Sequence, residues 1–268
     1  MTEALPSFEG ITYREAGPRE GPTVLMLHGY PESSFMWRAP LAAAAEAGWR
    51  GVAPDLPGFG DSPPDPPGTW EHHMEQVQRL VVGLDLAPVV LVAHDWGGLI
   101  GLRWACEHPE AVSALVISAT GFFPDGKWHG MARGLREEGT GEQLVADMTR
   151  ANFGALMAWA SRGMDSEVVD EFWKCFGDEA RRRGQLELYR SGDFEKIARY
   201  EGRLAALGVP TLLLWGKDDR FSPPAGARRF NAEIPGSELV VLEDTGHFVW
   251  EDEPDRCSRE LAKFLAGL

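Results

Sequence analysis

The segment Leu91-Val-Ala-His-Asp-Trp-Gly-Gly98 runs an apolar, β-branched stretch straight into small residues. A small–x–nucleophile–x–small pattern between a buried strand and a helix marks a nucleophile elbow, a strained turn that lifts one side chain above a sheet. Asp95 holds the central place between Ala93 and Gly97, which are small because strand and helix backbones approach closely there. A carboxylate so placed can attack carbon and form a covalent ester. Two later segments supply its partners. Leu213 to Ser222 sets Asp218 and Asp219 just beyond an apolar run, and Leu242-Glu-Asp-Thr-Gly-His-Phe248 does the same for His247. Nucleophile, acid and histidine in that chain order suit covalent catalysis, with His247 as base and an aspartate to orient it. Asp219, at the end of a Gly-x-x-Asp pattern, is favoured over Asp218 for that role. A fourth segment, Leu27-His-Gly-Tyr-Pro-Glu-Ser-Ser34, offers the backbone N–H of Tyr30, which with that of Trp96 would form an oxyanion hole. His28 is expected to hydrogen-bond this loop rather than act as a base.

These residues need a scaffold that brings strand ends together. Thr23–Leu27, Arg50–Ala53, Val89–Ala93, Ala114–Ile117, Thr211–Trp215 and Glu238–Leu242 are continuously apolar rather than alternating. Strands buried on both faces read this way, so a mostly parallel, twisted sheet covered by helices is predicted. Helices are predicted over Ser34–Ala47, Trp70–Leu84 and Trp96–Glu107. Strand–helix alternation with short connections makes the fold class α/β. From about Phe122 the strand runs vanish, and the helical stretches Gly141–Trp159, Asp165–Phe176 and Arg181–Tyr189 replace them until the strands resume at Val209. The division expected is a core of residues 1–121 and 206–268 interrupted by a helical cap, 122–205.

Composition narrows the class of partner. Across 268 residues, 26 basic against 41 acidic side chains leave a net charge of −15, which opposes binding to nucleic acid or to an anionic membrane surface. Three scattered cysteines, Cys106, Cys175 and Cys257, fit neither a disulfide framework nor a zinc site. The beginning of the chain lacks the basic and apolar regions of a signal peptide, and no stretch approaches 18 uninterrupted apolar residues, so a cytoplasmic protein, monomer or homodimer, is expected. Gly58-Phe-Gly60 lacks the spacing of a dinucleotide fingerprint. His72-His73 and Arg181-Arg182-Arg183 are expected on solvated faces. Residues 122–205 hold 13 basic and 15 acidic side chains and 11 of the 27 aromatic residues, so they are nearly neutral and rich in rings. That suits a lid over small, uncharged, apolar substrates.

With these motifs in place the chain resembles the α/β-hydrolase superfamily over nearly its whole length, in the branch with an aspartate nucleophile. His94-Asp95-Trp96-Gly97-Gly98, Asp55-Leu-Pro-Gly-Phe-Gly-Asp-Ser62, Gly246-His247-Phe248 and Glu253-Pro254 carry the resemblance. They are shared by epoxide hydrolases and haloalkane dehalogenases. The resemblance implies cofactor-independent, metal-free hydrolysis through an Asp95 alkyl ester. Epoxide opening is the first expectation, because His-Gly-Tyr-Pro is similar to the aromatic form of that loop in epoxide hydrolases. Tyr189 falls where the second cap tyrosine of that family stands and is the expected proton donor. A first cap tyrosine is missing, and His129 is a substitute candidate. The alternative is a haloalkane dehalogenase with Trp96 as halide donor and Trp128 or Trp159 as its cap partner, although the asparagine that many dehalogenases place at position 30 is absent. A further alternative is a ligand-binding homologue without activity. His129, Trp128, Trp159 and Phe248 are the expected pocket residues.

Overall fold

The computed structural model describes residues 4–268. The first three residues of the chain start read above lie outside it. Eight strands form one sheet: β1 (Ser7–Phe8), β2 (Ile11–Ala16), β3 (Thr23–Leu27), β4 (Arg50–Pro54), β5 (Val89–His94), β6 (Val112–Ser118), β7 (Thr211–Gly216) and β8 (Glu238–Leu242). Their order is β1-β2-β4-β3-β5-β6-β7-β8, with β1 and β2 antiparallel and the rest parallel. Every residue of β3, β5 and β7 is buried, which is why these strands read as unbroken apolar runs. β1 and β2 escape that reading. β2 buries only Ile11 and Tyr13 of six residues, as an antiparallel strand near an edge does.

After β3 the chain passes through helix α1 (Arg38–Glu46) to β4 on one side, then through α2 (Trp70–Gly83) to β5 on the other. The strand order therefore reverses between β3 and β5, and the loops leaving these two strands diverge around a crevice at their carboxyl ends. Leu27 pairs with Ala93 in register, so the His28–Tyr30 loop and Asp95 start from the same level of the sheet. α3 (Trp96–Glu107) follows β5 directly and is almost wholly buried.

Between β6 and β7 lie α4 (Gly130–Arg136), α5 (Thr140–Asp147), α6 (Arg150–Ala160), α7 (Ser166–Trp173), α8 (Glu179–Ser191) and α9 (Arg203–Ala206). The expected single stretch Gly141–Trp159 is two helices. Thr149 accepts a hydrogen bond from Asn152 N–H and starts α6 afresh, a cap that opens a helix where the apolar period alone runs on. The Arg181–Arg183 run is not a solvated face throughout. Arg181, with its side chain 15% exposed, donates to the carbonyls of Gly58 and Gly60 and so fastens α8 to the core loop. His73 is also buried rather than solvated, and burial with the neighbouring His72 holds it down to about 3. The chain closes with α10 (Pro224–Glu233), α11 (Val249–Asp252) and α12 (Pro254–Leu265). No helix among the described residues is long and apolar enough to cross a membrane. The three cysteines are free and buried, and burial pushes the Cys106 and Cys257 thiols up to about 12, far from reactive thiolates.

Candidate active site

Asp95 sits between β5 and α3 with φ 48° and ψ −120°, a backbone state uncommon for any residue but glycine. Such strain costs of order 1–3 kcal/mol and persists only where the surroundings fix it. They do so here: Gly98 N–H and Leu99 N–H donate to the Asp95 carbonyl at 2.9 and 3.2 Å, and the Thr120 hydroxyl donates to it at 2.7 Å. A Cβ on Gly97 would strike the carbonyls of Leu27 and His28, so the small residue two places beyond the nucleophile is a steric requirement. The turn lifts the Asp95 carboxylate into the crevice. Tyr30 N–H donates to its Oδ1 at 2.8 Å, and His247 Nε2 lies 3.5 Å from its Oδ2. Gly29 is equally constrained, since a Cβ there would collide with the Asp95 carboxylate.

Of the two candidate acids, Asp219 is the one the fold places beside His247. It is 5% exposed and its Oδ2 lies 2.9 Å from His247 Nδ1, whereas Asp218 is exposed. Its other oxygen accepts the backbone N–H groups of Phe221 and Ser222 at 2.8 and 2.9 Å, which aim the carboxylate at the ring. His28 takes the structural place expected of it. Its Nδ1 donates to the Gly29 carbonyl at 2.8 Å, and its Nε2 accepts Leu56 N–H at 2.9 Å.

Charge follows this geometry. Burial lowers His247, but the Asp219 carboxylate, by charge and hydrogen bond, and then Asp95 raise it well above the ordinary imidazole value. Burial pushes Asp95 up, yet the His247 hydrogen bond and charge, with His94 and Tyr30 N–H, hold it below the ordinary carboxylate value. The pairing thus favours a protonated His247 beside an ionised Asp95, the form a nucleophilic carboxylate needs.

The wall opposite comes from the helical insert. Tyr30, Pro31, Asp95, His247 and Phe248 from the core face His129, Met131, Met148, Phe153, Leu156, Met157, Phe176 and Tyr189, with Phe221 between them. The cavity is narrow, about 30 Å³, room for roughly one or two water molecules. A groove of about 270 Å³ adjoins it and shares Asp95, His129, Tyr189 and Phe221. Tyr189 is 2% exposed; burial, then the Asp95 charge, push its phenol well above the ordinary value, while a hydrogen bond with the Trp96 indole acts the other way. The Tyr30 hydroxyl is occupied, donating to Gln185 Oε1 at 3.0 Å. Tyr200, the remaining insert tyrosine, lies at Arg103 and Glu107, away from the cavity.

One expected pocket residue is not where the sequence suggested. Trp159 is 54% exposed, edge-on to Phe221 and beneath the Arg220 guanidinium, so it faces an outer groove. It stands near the end of α6, whose buried face carries Phe153, Met157 and Ala160 instead. Trp128 stacks on Trp96 at 5.4 Å and lines the adjoining groove, which also reaches Asp95. Phe248 and His129 do line the cavity. His129 Nδ1 accepts Ala132 N–H at 3.4 Å, so the neutral ring carries its proton on Nε2. The three methionines were missed. Their spacing announces only an apolar face, and their convergence depends on how the insert helices pack.

Comparison with known proteins gives the family and the fold. The family model of the α/β-hydrolase fold matches residues 22–254. A haloalkane dehalogenase of Mesorhizobium japonicum is 31% identical over 95% of this chain and 87% of its own. One of Mycobacterium marinum is 33% identical over 90% and 83%. The crystal structure of a haloalkane dehalogenase from Bradyrhizobium elkani superposes with a TM-score of 0.85 at 27% identity, over 96% of this chain and 94% of that one. With an aspartate at the elbow and a family match across most of its length, the chain belongs to the α/β-hydrolase fold family, in its aspartate-nucleophile, dehalogenase-like branch.

Proposed function

We propose that the protein hydrolyses the carbon–halogen bond of small, uncharged haloalkanes. The observation that carries the reading is buried Tyr189, packed edge-on against the Trp96 ring at 5.2 Å and lining one narrow apolar cavity with ionised Asp95. An Asp95 oxygen attacks the carbon bearing the halogen. The carbon–halogen bond breaks, and the halide leaves toward the O–H and N–H donors, forming an alkyl ester. Esterification removes the Asp95 charge, one of two that keep His247 protonated. His247, oriented by Asp219, can then lose its proton and take another from a water molecule, whose hydroxide attacks the ester carbonyl. The oxyanion formed meets Tyr30 N–H and the N–H of Trp96 at the unpaired first turn of α3. Collapse releases the alcohol, with the proton returned from His247. The named relatives act on haloalkanes, which favours this reading over epoxide opening, the first expectation from the sequence.

Chemistry points the same way. A halide needs only hydrogen bonds, whereas an epoxide oxygen must receive a proton, and burial makes the Tyr189 phenol reluctant to release one. With the Tyr30 hydroxyl engaged by Gln185, a two-tyrosine clamp is not assembled. One observation still favours the epoxide route, namely that Tyr189 is the phenol such a donor requires and is aimed into the cavity. The deciding experiment offers short bromoalkanes and short terminal epoxides in parallel and measures bromide and diol. Bromide release that disappears in Asp95→Asn supports the dehalogenase. Diol formation without bromide release overturns it in favour of the epoxide hydrolase, and turnover of neither opens the ligand-binding alternative.

A further inference from the structure

Behind the nucleophile lie two fully buried side chains that the mechanism does not use. Glu32 and His94 are both 0% exposed. Glu32 Oε1 and His94 Nε2 have no hydrogen-bond partner elsewhere and stand 3.3 Å apart. Buried polar atoms without partners are rare and costly, so one proton must lie between these two.

The surrounding hydrogen bonds say where it comes from. Ser118 Oγ spends its own hydrogen on the Ala93 carbonyl and accepts the indole N–H of Trp250 at 2.9 Å. Its remaining place, 3.0 Å from His94 Nδ1, is that of an acceptor. His94 Nδ1 is therefore the donor, and Nε2 of the neutral ring is an acceptor. The proton between Nε2 and Oε1 then belongs to Glu32. Its other oxygen accepts Gly29 N–H at 2.6 Å, and Glu32 N–H donates back to the Gly29 carbonyl at 3.1 Å.

We propose that Glu32 is an un-ionised carboxylic acid that positions the active site. Through Oε1–H it holds His94, the residue before the nucleophile, and through Oε2 it holds Gly29, the residue before the oxyanion donor Tyr30. The two loops that must meet at the ester are thus tied by one side chain that adds no charge. Neutrality matters because His247, 5.1 Å ring to ring from His94, already faces two carboxylates. A third would hold it protonated when it must act as a base. The facing groups agree with this assignment. Burial, then Asp95 and Glu251, push Glu32 up, against His247 and the Gly29 N–H. Burial, then His247 and His28, push His94 down, against Asp95. An ion pair would set two charges on side chains that are both fully buried.

The proposal rests on Asp95 carrying an ester, whichever leaving group departs. Its test uses the whole protein and the variants Glu32→Gln and Glu32→Leu. The infrared difference between wild type and Glu32→Gln at neutral pH, taken without substrate, is expected to contain the carbonyl band of an un-ionised carboxylic acid. A carboxylate band in its place overturns the neutral assignment. In single turnover, Glu32→Gln can still donate to His94 and accept from Gly29, and should hydrolyse the alkyl-enzyme within about threefold of wild type. Glu32→Leu should slow that step about tenfold or more, short of the roughly 100- to 1,000-fold loss on deleting an oxyanion donor outright, with KM little changed. A Leu variant as fast as wild type, or a Gln variant as slow as Leu, overturns the positioning role. If Glu32→Leu does not fold, the infrared band and the Gln rate still decide. If no alkyl-enzyme forms with any substrate, the proposed function fails while the infrared result stands by itself.

Discussion

The two walls of the cavity are built by different rules. On the core side, Asp95, Tyr30, Asp219 and His247 each stand within a few residues of the end of a parallel strand, and the sheet sets their separations. On the insert side, Tyr189, His129 and the methionines come from several helices, and their positions depend on helix packing. In the proposed mechanism the core wall supplies the chemistry that any alkyl ester needs. There the insert wall selects what becomes esterified and supports what leaves. Core substitutions should therefore stop turnover whatever the substrate, and insert substitutions should shift rates by amounts that depend on the leaving group.

The largest effect should come from His247→Gln. It should leave alkylation working and abolish the second step, so that intact-protein mass spectrometry shows the chain gaining one alkyl group that stays on Asp95. A protein that never gains that mass with any haloalkane or epoxide would refute the shared covalent mechanism. Asp219→Asn keeps the shape but disturbs the His247 tautomer, and should cost roughly 1,000- to 10,000-fold in turnover. An Asp218→Asn protein at wild-type rate would sharpen the contrast between the neighbours.

Tyr189→Phe tests the insert wall. Loss of a hydrogen bond to a departing halide costs about 1.5–3 kcal/mol, on the order of 10- to 150-fold in the alkylation rate. Loss of a proton donor to an epoxide oxygen reaches about 100- to 10,000-fold. Burst kinetics on both substrate classes thus measure how far the insert discriminates. Trp159→Ala should change turnover by less than about twofold, because that ring faces the outer groove. A large loss would move Trp159 back into the substrate path.

A pH experiment joins the two halves of the mechanism. In Asp95→Asn one of the two carboxylates raising His247 is gone, so an NMR titration of its ring should give a lower pKa than in wild type, as the ester should. The sign for stability follows. A histidine raised in the folded state contributes stabilisation that is complete below the unfolded value, about 6.5, and is lost as pH rises through the elevated folded value. The wild type's advantage over Asp95→Asn from this pair should therefore shrink with alkaline pH in urea melts.

Much of the core was legible because its signals are local. A buried strand ending in Ala-His-Asp-Trp-Gly needs only the close approach of two backbones to explain its small residues, and His247 follows β8 by a short turn. The edge strand β2 was not legible, since it buries too little to leave an apolar run. Trp159 was misplaced because an aromatic residue in a helical stretch announces only that some helix carries it. Which side faces the cavity is settled by the start of α6 at Thr149 and by its packing.

The sequence alone determined the parallel sheet, the helical interruption and the order in which an elbow aspartate, an acidic pair and a histidine follow the strand ends, because strand burial and the strained elbow constrain residue type over a few positions. Only the tertiary structure decided between Asp218 and Asp219, brought Tyr189 and Trp96 together, expelled Trp159 and closed Glu32 onto His94. Those outcomes depend on distances between residues from 28 to 93 positions apart, which burial and packing fix only once the chain is folded.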